Sequence, residues 1–248
     1  GVSSRNVERM ISFLERNGYV FHSLLLMKGD SLFGEYYWKP FHKDSCHRQY
    51  SQTKSYVSVA IGLLEEDGLI VEGTRADVVN NQVVVIKRKD TESAVTGLET
   101  LGNASSIAMA DGSVPVGRYT RTALMNLGIL PQVEDASVYT TAEVSDALGG
   151  VEISEQGNVS QVLTAVAEGS CEVGTTYYSD TYGYEDQIDV LETVSYDLTG
   201  NVIYPVCQVV NDEATDSQKA AAADFVSFIT SDTAKAIFDS YYFDTNLQ

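Results

Sequence analysis

The stretch SVPVGRYTRTAL at residues 113–124 places a proline and a glycine where a helix would begin. Pro115 suits the first helical position, because its fixed backbone dihedral is already helical and the N–H that it lacks would have no partner there. Gly117 has no side chain, so a ligand could approach the backbone closely. Unpaired N–H groups at a helix N-terminus bind anions without any cationic side chain. This turn therefore predicts an oxyanion site.

The stretch GNVSQVLTAVAEGS shows the same chemistry a second time. Asn158 is a good N-cap, so the N–H groups of Val159 and the residues after it would point out of the helix. Two such helix ends aimed at one cleft would offer several neutral donors to a tetrahedral dianion. Ordinary capped helices that bind no ligand are the alternative that the local chemistry leaves open.

Ser51 and Lys54 form a Ser-x-x-Lys motif on a predicted helix. Side chains three residues apart share a helix face, so the ammonium group could ease ionisation of the hydroxyl. Hydrolases of this kind also need a Tyr-x-Asn element and a Lys-Thr-Gly or similar strand. Neither motif occurs in the sequence. We therefore predict that Ser51 is not catalytic, and we keep a serine hydrolase as the second hypothesis.

His42, Cys46 and His47 are close enough in sequence to suggest a metal cluster, but no fourth ligand is evident. We interpret them as surface loop residues and assign no metal and no cofactor. The chain has three widely spaced cysteines, which indicates neither a disulfide framework nor a reactive thiol.

The chain of 248 residues carries a formal charge of -19, which argues against nucleic acid and anionic membranes as partners. Residues 1–69 hold eight of the 16 Lys or Arg and eight of the 35 Asp or Glu, so the remainder carries all of the excess charge. Such a step suggests two segments of different origin. No apolar run reaches the length of a membrane span. A signal peptide is either absent or already removed.

The spacing of apolar residues along the chain predicts the helices and strands that must position these residues. The first segment predicts a helix ending at Gly18, a hairpin around Gly29 and a helix ending at Gly68. Beyond it, strands and helices alternate, which predicts an α/β fold with a largely parallel sheet. The predicted strands are 83–86 (after an Asn-Asn-Gln turn), 106–110, 137–140, 172–178, 189–194 and 202–210. The predicted helices are 118–126, 159–168, 217–230 and 233–241.

Residues 69–248 resemble the molybdate-binding proteins of ABC importers, which are type II periplasmic solute-binding proteins. The motifs that carry the resemblance follow the family's order: EDGLIVEGTRADVVNNQVVVI, SIAMADGSVPVGRYTRTALMNLGIL, GNVSQVLTAVAEGSCEVGTTYYSD, IYPVCQVV and AAAADFVSFITSDTAKAIFDSYYF. The resemblance implies a two-lobed α/β fold, with the second lobe at about 81–202 and the remainder of the first lobe at 203–248. Strands at 83–86 and 204–210 would cross between lobes that close over the ligand by a hinge.

The same resemblance implies that the ligand is molybdate or tungstate, held by neutral groups. Val116 and Val159 would donate backbone N–H groups, and Tyr177 would donate its hydroxyl. Arg118 and Arg121 would lie on a helix face and would not touch the ligand.

Residues 1–68 resemble a different family, the serine hydrolases related to class C β-lactamases, over HSLLLMKGDSLFGEYYWKPFHKDSCHRQYSQTKSYVSVAIGLLEEDG. This segment would be a helix-hairpin-helix fragment that bears Ser51 and Lys54. The ligand serines of the molybdate family's first lobe are not recognisable in it, which implies an incomplete or replaced first lobe. Losing two hydrogen bonds to a charged ligand, at about 1.5 to 3 kcal/mol each, would weaken binding by orders of magnitude. We predict a chimera with its seam between residues 57 and 71.

The primary hypothesis is therefore an oxyanion-binding component of an ABC importer, which is not an enzyme and passes its ligand to a membrane permease. We expect a monomer in the cell envelope, either periplasmic or lipid-anchored. Two alternatives stay open: a serine hydrolase acting through Ser51 and Lys54, and a hybrid with neither activity. An exposed apolar helix in the N-terminal segment would favour the inactive hybrid.

Overall fold

The computed structural model describes residues 3–18, 21–46 and 52–247. The chain divides into two compact units, Gly1–Leu63 and Leu64–Gln248. The predicted boundary at residue 68 concerns the origin of the two segments, and it stays a prediction.

The first unit contains a helix and a hairpin followed by a second helix, as predicted. Helix α1 spans Ser4–Arg16 and is capped by the hydroxyl of Ser3. Strands β1 (Ser23–Lys28) and β2 (Ser31–Tyr37) pair in antiparallel fashion. Helix α2 spans Gln52–Glu66 and so continues across the unit boundary.

The first unit has little apolar core of its own. Among its described residues, Val7 is the one buried hydrophobic side chain. Leu25 and Met27 of the hairpin are 53% and 62% exposed, and Tyr56 and Val59 of α2 are 62% and 64% exposed. Helix α2 therefore exposes apolar side chains, the feature that would favour the inactive hybrid; that alternative stays a hypothesis.

The second unit is built on a five-stranded mixed sheet, preceded in the chain by strand β3. The strands are β3 (Ala76–Val79), β4 (Val83–Arg88), β5 (Ser106–Ala110), β6 (Glu152–Gln156), β7 (Val173–Tyr177) and β8 (Ile188–Thr193). The spatial order of the sheet is β6-β5-β7-β4-β8. Strand β5 is parallel to β6 and β7, whereas β4 is antiparallel to β7 and β8. Four strands therefore run in one direction, which confirms the largely parallel sheet.

Helices cover both faces of this sheet. They are α3 (Pro115–Asn126), α4 (Thr141–Ala147) and α5 (Val159–Ala167). Gly174 faces α5, since a Cβ there would lie 2.8 Å from Val166 Cγ2 and 3.0 Å from Val162 Cγ1. Thr175 faces the opposite side, where its Oγ1 accepts a hydrogen bond from Thr120 of α3 at 3.1 Å. Because side chains alternate along a strand, β7 is buried on both faces.

The remaining elements of the second unit follow the sheet in the chain. They are α6 (Tyr196–Thr199), β9 (Tyr204–Val206), α7 (Asp216–Ile229) and α8 (Asp232–Ser240). Strand β9 pairs with β3 in a separate two-stranded sheet. Helix α7 buries none of its residues, and its Phe225 and Phe228 are 57% and 51% exposed. None of the described helices is long and apolar enough to cross a membrane.

Several predicted boundaries need correction. The strand predicted at 137–140 is wrong, because Asp135 accepts a hydrogen bond from the Ser137 N–H at 3.0 Å and closes a 3₁₀ turn. The strand predicted at 202–210 is confirmed over β9, and after an interruption where the Gln208 N–H bonds to Thr74 Oγ1 at 3.0 Å, Val209 forms an isolated antiparallel bridge with Ile70. Helix α3 begins at Pro115, as the proline indicated, and so three residues before the start of the helix predicted at 118–126. Strands β3 and β6 and helix α4 were not predicted.

Candidate functional site

The three predicted ligand-binding residues lie at one edge of the five-stranded sheet. Strand β5 leads into α3, β6 leads into α5, and Tyr177 is the last residue of β7. Because these strands are parallel, their carboxyl ends meet at one edge and the two helices begin there. Open α/β sheets bind ligands at this edge. The topology thus places Val116, Val159 and Tyr177 at the same edge of the sheet.

The turn before α3 leaves the first helical N–H groups without a side-chain cap. Val114 occupies the N-cap position and makes no side-chain hydrogen bond, and Pro115 follows at the first helical position, as predicted. The next N–H groups belong to Val116 and Gly117, and no backbone carbonyl of the described residues before the helix accepts them. Val116 is fully buried, so its N–H can reach a ligand only if this turn shifts.

Gly117 has a different role from the one predicted. A Cβ at this position would lie 2.2 Å from the carbonyl oxygen of Asp111 and 2.4 Å from that of Ala110. The glycine therefore lets the start of α3 pack against the end of β5, and ligand approach does not explain it. The Asp111 N–H also donates to the Gln156 carbonyl at 2.9 Å. This bond ties the turn after β5 to the end of β6.

Asn158 caps α5 as predicted, because its Oδ1 accepts a hydrogen bond from the Gln161 N–H at 2.9 Å. The Gln161 side chain returns to the Gly157 N–H at 2.9 Å, which completes the cap. Val159 is half-buried and Ser160 is exposed. The N–H groups of these two residues therefore lie in an accessible turn and remain available to an acceptor.

Tyr177 places a neutral hydroxyl at this edge. The residue is 8% exposed, and its ring packs edge-on against Tyr119 of α3 with the centroids 6.4 Å apart. Burial raises the pKa of Tyr177 well above its usual value, and the nearby Tyr204, Tyr119 and Asp180 add to the rise. The phenol therefore stays protonated at physiological pH and can donate a hydrogen bond to an anion.

A buried polar network near Tyr177 was not predicted from the sequence. Asn81 is 1% exposed, donates to Ser179 Oγ at 2.8 Å and reaches Tyr204 Oη at 3.5 Å. Asn80 Oδ1 accepts a hydrogen bond from the Val202 N–H at 2.6 Å. The sequence indicates only a turn at these two asparagines, whereas their side-chain amides bond to Val202 and Ser179 and so join the start of β4 to the segments that follow β7 and β8.

Arg121 lies in helix α3, on a helix face as expected, but its burial was not predicted from the sequence. It lies on the buried face of α3 and is 0% exposed. Arg118, on the same helix, is exposed and forms an ion pair with Asp135 at 3.3 Å. The sequence did contain an indication of this burial: Arg121 lies three residues before the apolar Leu124, so both side chains share one helix face.

The candidate residues of the first unit lie partly beyond the described structure. Ser51 and His47 lie outside the described residues, and Lys54 lies in the first turn of α2. The Ser-x-x-Lys pairing therefore stays a prediction. Within the described ranges, no group of three or more His, Cys, Asp or Glu side chains could hold a metal ion.

Comparison with known proteins identifies the family. Residues 56–244 match the model of the bacterial extracellular solute-binding proteins. The chain belongs to this family. This solute-binding protein is 27% identical to the "substrate binding domain of putative molybdenum ABC transporter from Clostridium difficile", over 77% of its own chain and 74% of that chain, with a TM-score of 0.60. It also shares the fold of the Azotobacter vinelandii periplasmic molybdate-binding protein, with 18% identity, a TM-score of 0.51 and coverage of 75% and 74% of the two chains.

A curated relative gives a similar result. The solute-binding protein is 26% identical over 181 residues to the "Putative ABC transporter substrate-binding lipoprotein YvgL" of Bacillus subtilis (strain 168). The alignment takes 73% of this chain and 62% of the relative, so the chain spans less than two thirds of that relative's length.

These comparisons confirm the predicted α/β fold of the periplasmic-binding-protein type. The family match begins at residue 56, so most of the first unit lies outside it. The β-lactamase resemblance of residues 1–68, and with it the chimera, finds no support in these comparisons. The incomplete first lobe stays a prediction.

Proposed function

We propose that this solute-binding protein binds a tetrahedral oxyanion of the molybdate and tungstate class and serves an ABC importer in the cell envelope. The observation that carries the proposal is the meeting of two helix starts and one protonated phenol at a single sheet edge. The relatives support it, since one is named for a molybdenum ABC transporter and another for a substrate-binding lipoprotein. The extracellular family favours an envelope location and a membrane permease as the partner.

Neutral donors suit the charge of this protein. With a formal charge of -19, the chain repels a dianion at long range, so short-range donors must hold it. Backbone N–H groups at helix starts and a phenolic hydroxyl provide such donors, and hydrogen bonds to a charged acceptor are stronger than those between neutral groups. In this proposal the N–H groups of Val116 and Val159 and the hydroxyl of Tyr177 contact the oxyanion, and the turn at Val116 shifts to admit it.

The proposed ligand shell is incomplete. The segment at 69–248 would contribute the second lobe at 81–202 and the first-lobe remainder at 203–248, without the serine ligands that the family resemblance leads us to expect. Affinity should then be weaker than in a complete receptor, because each lost hydrogen bond to a charged ligand costs about 1.5 to 3 kcal/mol.

Isothermal titration of the full chain with molybdate and tungstate, with sulfate as the competing anion, tests the proposal. We expect Tyr177→Phe to weaken molybdate binding by about 10- to 150-fold, because one hydrogen bond to a charged acceptor is removed. Tyr178→Phe is the matched control, since its ring stacks on Tyr242 with the centroids 5.0 Å apart and the substitution keeps that stacking. Absence of molybdate binding by the unmodified chain would refute the function, whereas equal affinity in the Tyr177→Phe variant and the unmodified chain would remove Tyr177 from the site.

A further inference from the structure

Arg121 is the largest side chain that the structure buries completely. Its Nε donates to the Tyr139 carbonyl at 2.9 Å, and its Nη1 donates to the carbonyls of Ala110 at 2.8 Å and Gly117 at 3.0 Å. Its Nη2 reaches Thr141 Oγ1 at 3.4 Å. All of these acceptors are neutral oxygens. No carboxylate oxygen of the described residues forms an ion pair with Arg121.

A buried cation without an ion pair is unusual, because removing a charge from water is costly unless an opposite charge compensates it. Burial lowers the pKa of Arg121, and Asp111 and Glu155 oppose that effect from a longer range. Thr141 hydrogen-bonds to the carboxylate of Glu155, so one carboxylate reaches the guanidinium only through a hydroxyl. Two carboxylates therefore lie near the positive charge of Arg121, but neither forms an ion pair with it.

The position of Arg121 links this charge to the candidate site. Ala110 is the last residue of β5, and Gly117 lies in the first turn of α3. The Nη1 atom thus bonds to both ends of the turn whose Val116 N–H is a proposed donor. A charge held in a poorly solvated interior acts more strongly over a given distance than one in water.

We propose that Arg121 is a positioning residue of the oxyanion site: it anchors the two ends of the turn, Ala110 and Gly117, about which Val116 shifts, and its buried charge selects a dianion over a monoanion. The proposal rests on the proposed function. The bound dianion would add a second source of negative charge to the two carboxylates, Asp111 and Glu155, that act on Arg121 without contacting it.

The test compares molybdate with perrhenate, a tetrahedral oxyanion that carries one charge instead of two. Binding of each anion is measured by titration calorimetry in the unmodified chain and in Arg121→Met, Arg121→Lys and Arg118→Met. Arg118→Met is the matched control, because it removes the same charge from an exposed position on the same helix. We expect Arg121→Met to reduce the ratio of molybdate to perrhenate affinity by about tenfold. Arg121→Lys should keep most of that ratio, and Arg118→Met should leave it unchanged.

The outcomes separate the two proposals. If the unmodified chain binds neither anion, the proposed function fails and the site that Arg121 would serve fails with it. If the chain binds molybdate but Arg121→Met weakens both anions equally, Arg121 is merely structural and this inference alone is overturned. Circular dichroism checks that each variant is folded. If Arg121→Met does not fold, the test rests on Arg121→Lys, which keeps the positive charge. A reduced ratio of molybdate to perrhenate affinity in that variant would overturn the inference, and an unchanged ratio would support it.

Discussion

Two adjacent threonines of β7 should respond in opposite ways to the same substitution. Thr175 and Thr176 are both fully buried, and they face opposite sides of the sheet. Thr175 Oγ1 accepts a hydrogen bond from Thr120 at 3.1 Å, whereas Thr176 Oγ1 has no partner. Replacing each with valine keeps the branched shape and the strand preference and removes only the hydroxyl.

The magnitudes follow from the cost of unpaired and paired hydroxyls. Thr175→Val removes one hydrogen bond and should lower the free energy of unfolding by about 1 kcal/mol. Thr176→Val removes a buried group without a partner, so it should raise that free energy by about 1 kcal/mol or more. The two variants should therefore differ by about 2 kcal/mol, which corresponds to roughly 4 to 8 °C in melting temperature for a domain of this size.

The assay must report on the second unit. The single tryptophan, Trp38, lies in the first unit, so its fluorescence does not follow the sheet. Urea unfolding followed by far-ultraviolet circular dichroism and by the tyrosine signal in the near ultraviolet is suitable. If Thr176→Val destabilises the protein as much as Thr175→Val does, the Thr176 hydroxyl has a partner and the reasoning is refuted.

Three further predictions follow from the site. Gly117→Ala should destabilise the second unit by about 1 to 3 kcal/mol, because the new methyl group would collide with two carbonyl oxygens. Gly62→Ala in α2 is the control: no atom lies near the added methyl group, so this substitution should be neutral or stabilising. The urea midpoint of each variant measures the effect. Hydrogen bonds from Ser113 lower the pKa of Asp111. The ionised carboxylate therefore stabilises the fold above about pH 4, and this contribution is lost as the pH falls below that value. Between about pH 4 and pH 2.5, the melting temperature of Asp111→Asn should fall less than that of the unmodified chain. Because burial raises the pKa of Tyr177, molybdate affinity should be retained in titrations at about pH 10, and a loss centred there would show a normally titrating phenol.

Local chemistry predicted the parts of the site that depend on neighbours in the sequence. Pro115 and Asn158 start their helices as expected, because a fixed dihedral and a short amide side chain act within one turn. The apolar run that became β4 was also recognisable as a buried strand, since a central strand is covered on both faces.

The rest depended on contacts that the sequence does not display. Strand β6 was missed because it lies at the sheet edge, and its EISEQ sequence is largely exposed. The role of Gly117 depends on the carbonyl groups at the end of β5, and the burial of Arg121 depends on acceptors from the end of β5 and from residues 139–141. The helix starts could therefore be predicted from the sequence, whereas the packing of Gly117 and the burial of Arg121 could be seen only in the tertiary structure.

The hydrogen bond from the Asn81 N–H to the Val202 carbonyl, at 3.1 Å, has a consequence for engineering. It holds together the two ends of one uninterrupted stretch of chain that contains the entire five-stranded sheet. A cassette cut at these two positions would have adjoining termini, so it could be produced alone, circularly permuted or grafted into another receptor. Grafting it into a complete receptor of the family would test whether the proposed donors of this segment bind a ligand when the opposing half comes from another protein.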